Sequence, residues 1–182
     1  MNYIESDAIF GGAKQEYRYQ LKRIWDKNKE MMTYILLNPS TANEQIDDNT
    51  IESCVRLAKH NGFGGFIVAN LFGYRATKPK ELIGCEKYVL IGKDNDKYIL
   101  NSVKKTNKVV LGWGNSVKEI STIKDYDRDK EIAQLLEKNG HKVYCADLTV
   151  KGCPKHPLYI SSKSCFFEIK WNDKKNKFEK LL

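Results

Sequence analysis

Four apolar runs in this chain stop abruptly in small or polar residues. Tyr34-Ile35-Leu36-Leu37 ends in Asn38-Pro39-Ser40-Thr41, and Gly64 to Ala69 ends at Asn70. Val109-Val110-Leu111 ends in Gly112-Trp113-Gly114, and the short run Val143 to Asp147 leads into a loop from Lys151 to Ile160. Runs without polar alternation fit strands covered on both faces, as in parallel sheets. Helical spacing separates them. Thr50 opens one helix with Ile51, Cys54, Val55, Leu57 and Ala58 on one face and Asn61-Gly62 as its stop. Asp94-Asn95-Asp96 opens another through Tyr98, Ile99, Leu100 and Val103, and Ile132, Leu135 and Leu136 mark a third that ends at Asn139-Gly140. Largely alternating segments on either side of Gly11-Gly12 read as an appended N-terminal hairpin. The pattern predicts an α/β fold, three layers α/β/α around a central, largely parallel four-stranded sheet. Residues 164–171 add a last strand, and 1–171 form one domain followed by a charged C-terminal tail, 172–182.

In such sheets ligands bind where loops leave the carboxyl ends of the strands. All four run-ends belong on that edge, which brings Asn38, Asn70, the Gly112-Trp113-Gly114 turn and the Lys151–Ile160 loop together. Asn38-Pro39 on its own also reads as an ordinary strand-to-helix turn. His156 lies in a loop stiffened by Pro154 and Pro157, where no helix or strand packing accounts for it. Cys145 and Cys153 near His156 match no common metal-site spacing, so they read as packing thiols and no metal is assigned. The glycines at 112 and 114 lack a following Gly-Lys-Ser/Thr or a Gly-x-Gly-x-x-Gly frame, so no nucleotide or dinucleotide cofactor is assigned.

Composition adds the partner. With 182 residues the chain suffices for one core, and 41% hydrophobic and 30% charged residues are those of a globular protein. No apolar run approaches the ~20 residues of a membrane span, and Met1 is followed by no signal-peptide pattern. Five unevenly spaced cysteines suit a reducing cytoplasm. The net charge of +8 favours an anionic partner such as nucleic acid, although Lys170 to Lys180 alone reads as a solvated segment. A monomer is the favoured state.

In order, Leu37-Asn38-Pro39-Ser40, Asn70, Val110 to Gly114 and His156-Pro157-Leu158-Tyr159 resemble the motif series of the uracil-DNA glycosylase superfamily in its Asn-Pro form. Over Ala8 to Ile160 the Asn-Pro-Ser-Thr-Ala, Asn-Leu-Phe, Arg-Ala-Thr, Asp94-Asn95-Asp96, Trp-Gly and His-Pro-Leu-Tyr residues more closely resemble the bacterial and phage family called domain of unknown function 1643 (DUF1643). The glycosylase resemblance implies a uracil-DNA glycosylase-like fold and a DNA glycosylase that excises an unusual, damaged or modified base flipped from DNA. Repair and phage–host conflict are both open as its setting. Two departures stand out: Asn38 sits where the most active uracil enzymes have aspartate, and Leu158 sits where the superfamily has serine.

The residues match the chemistry this would need. Breaking an N-glycosidic bond demands a donor to the departing base and a positioned water beneath an oxocarbenium-like sugar. His156 is the candidate donor, Asn38 the candidate water-orienting group, and Asp48, or its neighbour Asp47, the candidate carboxylate. A solvated loop is the competing reading of that acidic pair. Asn70 can read a pyrimidine edge with its amide, and Phe72, Tyr74 and Tyr159 are candidates to stack on the base. Ser40, Thr41, Arg75, Lys155, Ser161 and Lys163 are candidate phosphate contacts, with Lys151 and Ser162 beside them. The alternative is a protein that binds or hydrolyses a free nucleotide or nucleoside in the same pocket. A third reading is a metal-dependent nuclease built on Asp47, Asp48, Asp94 and Asp96.

Overall fold

The computed structural model describes residues 2–181, apart from the side chain of Pro79. Met1 and Leu182, the outer bounds of the expected domain and tail, lie outside the described residues. The fold is α/β around a single mixed sheet of eight strands. In chain order these are β1 (Glu5–Gly11), β2 (Tyr17–Ile24), β3 (Met31–Leu36), β4 (Gly65–Asn70), β5 (Lys108–Leu111), β6 (Val143–Cys145), β7 (Phe167–Asn172) and β8 (Lys177–Lys180). Across the sheet they run β1-β2-β4-β3-β5-β6-β7-β8. The pairs β3–β4, β3–β5 and β5–β6 are parallel. Antiparallel pairs flank them on both sides, β1–β2 and β2–β4 on one, β6–β7 and β7–β8 on the other.

Two expectations change. The N-terminal hairpin is not an appendage, because Leu21 to Ile24 pair directly with Gly65 to Val68 and extend the sheet. The charged segment 172–182 contains strand β8, whose buried Phe178 lies directly opposite the buried Trp171 of β7 in a second hairpin, their rings meeting edge to face at 5.0 Å. Lysines on the opposite face of a two-residue period raise the charge of such a strand without weakening its apolar side.

The apolar strand residues divide between two cores, as the alternation of side chains across a sheet requires. Ile35, Ala69, Val109 and Leu111 pack with Ile99 and Val103 of helix α3 (Asn95–Lys104) and with Ile132, Ala133 and Leu136 of α5 (Arg128–Lys138). Met32, Tyr34, Phe66, Val68 and Val110 pack instead with Ile51, Cys54, Val55 and Ala58 of α1 (Asn49–His60). Two shorter helices, α2 (Lys87–Ile91) and α4 (Ser116–Glu119), belong to the loops after β4 and β5. No helix among the described residues is long and apolar enough to cross a membrane.

The hairpin also holds the loop that follows β3. Arg23 is fully buried and donates from Nε to Asp47 Oδ1 at 2.9 Å, and its Nη2 reaches the Asn43 carbonyl. Tyr3 donates its hydroxyl to the other oxygen of Asp47. Arg18 donates from Nη1 to the Ala42 carbonyl at 2.6 Å. Burial lowers the Arg18 pKa to about 10, with the charges of Arg75 and Arg23 acting the same way and Asp48 opposing. Residues 42–47 are thereby fixed to the sheet from beneath, and the chain enters α1 in one orientation.

Candidate functional site

A cavity of about 450 Å³ opens on the edge where β3 and β5 end. Leu37, Asn38 and Ser40 line it from the loop after β3, Thr50 from α1, and Ala76 and Thr77 from the loop after β4. Trp113 to Ser116 and Glu119 line it from the segment after β5, and Thr149, Lys155, His156, Leu158 and Tyr159 from the loop after β6. Residues far apart in sequence meet here because the parallel pairing of β3 with β4 and β5 sends their loops out at one edge.

Asn38 is held rather than free. Its Nδ2 donates to the Pro39 carbonyl at 3.0 Å and to the Ala76 carbonyl at 2.8 Å, while the Ala76 N–H donates back to Pro39 at 2.9 Å. With both amide hydrogens engaged, Oδ1 is the atom left to accept from a ligand or water.

His156 precedes a short 3-10 turn, Pro157–Tyr159, and its Nδ1 accepts from the Leu158 N–H at 3.3 Å. An accepting Nδ1 puts the proton of the neutral ring on Nε2, which makes Nε2–H a donor. Desolvation lowers the His156 pKa to about 4, against the opposing pull of the Asp48 carboxylate. Two glycines pack beside it. A Cβ on Gly112 would sit 3.1 Å from Pro157 Cδ, and one on Gly114, at φ +72°, would sit 3.4 Å from His156 Cβ. The Gly114 N–H donates to Pro154 at 2.8 Å, which seats the loop against the end of β5.

The depressed pKa has a consequence for stability. An unfolded histidine takes up its proton near pH 6.5, whereas folded His156 resists it down to about 4. Its contribution is therefore complete above pH 6.5 and is lost as the pH falls from 6.5 toward 4, by up to roughly 3 kcal/mol. Urea midpoints measured between pH 7.5 and 4.5 should fall less steeply for His156→Gln than for the wild-type chain. Parallel curves would refute the assignment.

Other expected site residues lie elsewhere. Asn70 ends β4 with 1% exposure, does not line the cavity, and has neither amide atom hydrogen-bonded. Phe72 is fully buried in the core with Leu90 and Ile99, where no base can stack on it. Tyr74 packs edge-on against Tyr17 at 5.8 Å. Arg75 lies over Phe10 at 5.1 Å and donates to the Gln15 carbonyl, outside the cavity. Thr41, Ser161 and Lys163 are exposed and do not line the cavity either. Asp48 accepts from the Ile51 N–H at 3.0 Å as the cap of α1, so it reaches His156 by its field and not as a cavity wall. Of the expected stacking and phosphate residues, the cavity retains Tyr159, Ser40 and Lys155.

The four aspartates of the nuclease reading do not converge. Asp47 is tied to Arg23 and Tyr3, Asp48 caps α1, Asp96 pairs with Arg128, and no three of the described His, Cys, Asp or Glu side chains, Asp94 included, form a group that could hold a metal ion. Cys145 and Cys153 are buried, and desolvation pushes their thiols up to about 12 and about 11. Thr77, Asn115, Ser116, Glu119 and Thr149 enter the site without having been read from the sequence. The available signal was position alone, since all follow strand ends. A second cavity, of about 420 Å³, lies between α5 and β7–β8 and is lined by none of the expected site residues.

The family model described as Protein of unknown function (DUF1643) matches residues 18–158. The chain belongs to this family. The DUF1643 match runs from β2 to the turn after His156, so it contains Asn38, Glu119 and His156 but neither β1 nor the β7–β8 hairpin. No curated protein and no solved structure matches the chain.

Proposed function

We propose that the cavity hydrolyses the N-glycosidic bond of a nucleobase. The observation that carries this reading is a neutral histidine, with Nε2–H as donor, lining one cavity with an asparagine whose oxygen alone remains to accept. Donation from His156 grows stronger as negative charge develops on the leaving base, and Asn38 Oδ1 orients the attacking water. Asn38 cannot take the water's proton, which makes the chemistry slow or suited to a base that leaves readily. In the form that the uracil-DNA glycosylase resemblance suggests, the substrate is an unusual, damaged or modified base flipped from DNA, and the net charge of +8 supports a nucleic-acid partner. That form would carry a uracil-DNA glycosylase-like three-layer arrangement around the parallel strands and would act in the cytoplasm, in base repair or phage conflict.

A second form, a free nucleoside or nucleotide as substrate, is favoured by the position of Asn70 and Phe72 outside the cavity. One experiment tests both. The full chain is incubated with oligonucleotides carrying uracil, mismatched or hypermodified pyrimidines, and separately with free nucleosides, while released base is measured. Base release is the expected result, and its absence on every substrate refutes the hydrolase. Binding that collapses between 50 and 200 mM salt identifies DNA as the partner, because phosphate contacts release counterions.

A further inference from the structure

The cavity lining divides by chemistry into two sets of side chains. Asn38, His156 and Tyr159 form one. The other consists of Asn115, Ser116, Glu119 and Thr149, all hydrogen-bonding side chains, with Glu119 as its carboxylate. Thr149 donates to Asn115 Oδ1 at 2.7 Å and accepts from the Cys153 N–H at 3.1 Å, so this wall is fixed by its own bonds. Glu119 Oε1 pairs with Lys151 at 2.8 Å, which leaves Oε2 free to accept.

Charge at the rim is already matched. Lys155, the cavity's lysine, pairs with Asp147 at 3.1 Å, and Lys151 pairs with Glu119. Both ammoniums are engaged by carboxylates in exposed ion pairs, which lowers their pull on a phosphate. Arg75, Ser161 and Lys163, which a strand backbone would need, do not line this cavity. A neutral, hydroxyl-rich group fits this set, and a carboxylate accepting from sugar hydroxyls is how acidic side chains hold ribose in other sites.

We infer that Asn115, Ser116, Glu119 and Thr149 form a sugar subsite, and that the substrate class is a free ribonucleoside whose 2′- and 3′-hydroxyls donate to Glu119. The inference rests on the nucleobase reading of the Asn38–His156 set and selects between its two forms. With Oε1 engaged by Lys151, Oε2 can accept from both vicinal hydroxyls through its two lone pairs, and a 2′-deoxy sugar supplies only one of those donors. Bonds to an ionised acceptor are the strong kind, so removing one reduces binding roughly 10- to 100-fold.

The test is calorimetric titration of the full chain with adenosine, guanosine, cytidine and uridine, their 2′-deoxy and 5′-monophosphate forms, and a mixed-sequence single-stranded oligonucleotide. At least one ribonucleoside should bind at least tenfold more tightly than its 2′-deoxy and 5′-phosphate forms. Glu119→Gln should abolish the ribo-to-deoxy preference while leaving the melting temperature in place, as expected for an exposed ion pair. Equal ribo and deoxy affinities, a preference that survives Glu119→Gln, an oligonucleotide that binds more tightly than every nucleoside, or no nucleoside binding would each overturn the subsite. Base release in the same samples separates the two ideas. A Glu119-dependent ribose preference without base release keeps the subsite and refutes the hydrolase, whereas release from the oligonucleotide alone keeps the hydrolase and refutes the subsite.

Discussion

Asp47→Ala should destabilise the protein by about 3–5 kcal/mol, because it strands a buried guanidinium. The Arg23 side chain is 0% exposed and that of Asp47 14%, so water compensates only in part for the lost carboxylate. The same change leaves the Tyr3 hydroxyl unpaired. For a chain of this size the loss corresponds to a fall in melting temperature of roughly 10 °C. Asp47→Asn should cost less, since an amide oxygen still accepts from Arg23 Nε. Arg23→Met combined with Asp47→Ala should recover much of the deficit, because an apolar pair leaves no charge to solvate. Thermal and urea unfolding of the three variants checks this, and a cost below 1 kcal/mol for Asp47→Ala would show that the ion pair does not hold the 42–47 loop.

His156→Ala should lower base release roughly 10²–10³-fold on the proposed reaction while changing substrate affinity little. The asymmetry follows from what the side chain does. Its donor matters once charge builds on the leaving base, whereas ground-state binding is spread over the rest of the cavity. Because His156 titrates at about 4, the wild-type rate should show no inflection from this group between pH 5.5 and 8. Single-turnover rates and equilibrium binding, measured on the same preparations, separate the two effects. An alanine variant that releases base at the wild-type rate would remove His156 from the chemistry.

What could be read from the sequence was whatever periodicity or chain punctuation records. The apolar runs at 34–37, 64–69 and 109–111 became strands β3, β4 and β5, and the Asn61-Gly62 stop ended α1 as its capping chemistry requires. The meeting of Asn38 with His156 followed from placing loops at strand ends. Burial of polar residues was hidden. Arg18 and Arg23 look like outward positions of an edge hairpin, and only the second layer formed by the 42–47 loop makes them internal. Asn70 and Phe72 occupy a strand end as expected, but the site lies beyond Leu37 and Ala76, so they are covered. Glu119 sits in a four-residue helix too short to show a period. The last strand expected over 164–171 is β7, whereas β8 was masked by its lysines, although the step from Lys177 to buried Phe178 is itself part of a strand signal.

Phe178 of β8 meets Trp113 at 5.7 Å, and Trp113 forms part of the cavity wall. During synthesis on the ribosome the N-terminal segments emerge first, yet this wall lacks its backing ring until β8 has left the exit tunnel. Closure of the site is therefore a late event in biogenesis, governed by contacts of long sequence separation rather than by local helix formation. A nascent chain halted before residue 178 would hold Asn38 and His156 and still have no finished binding surface.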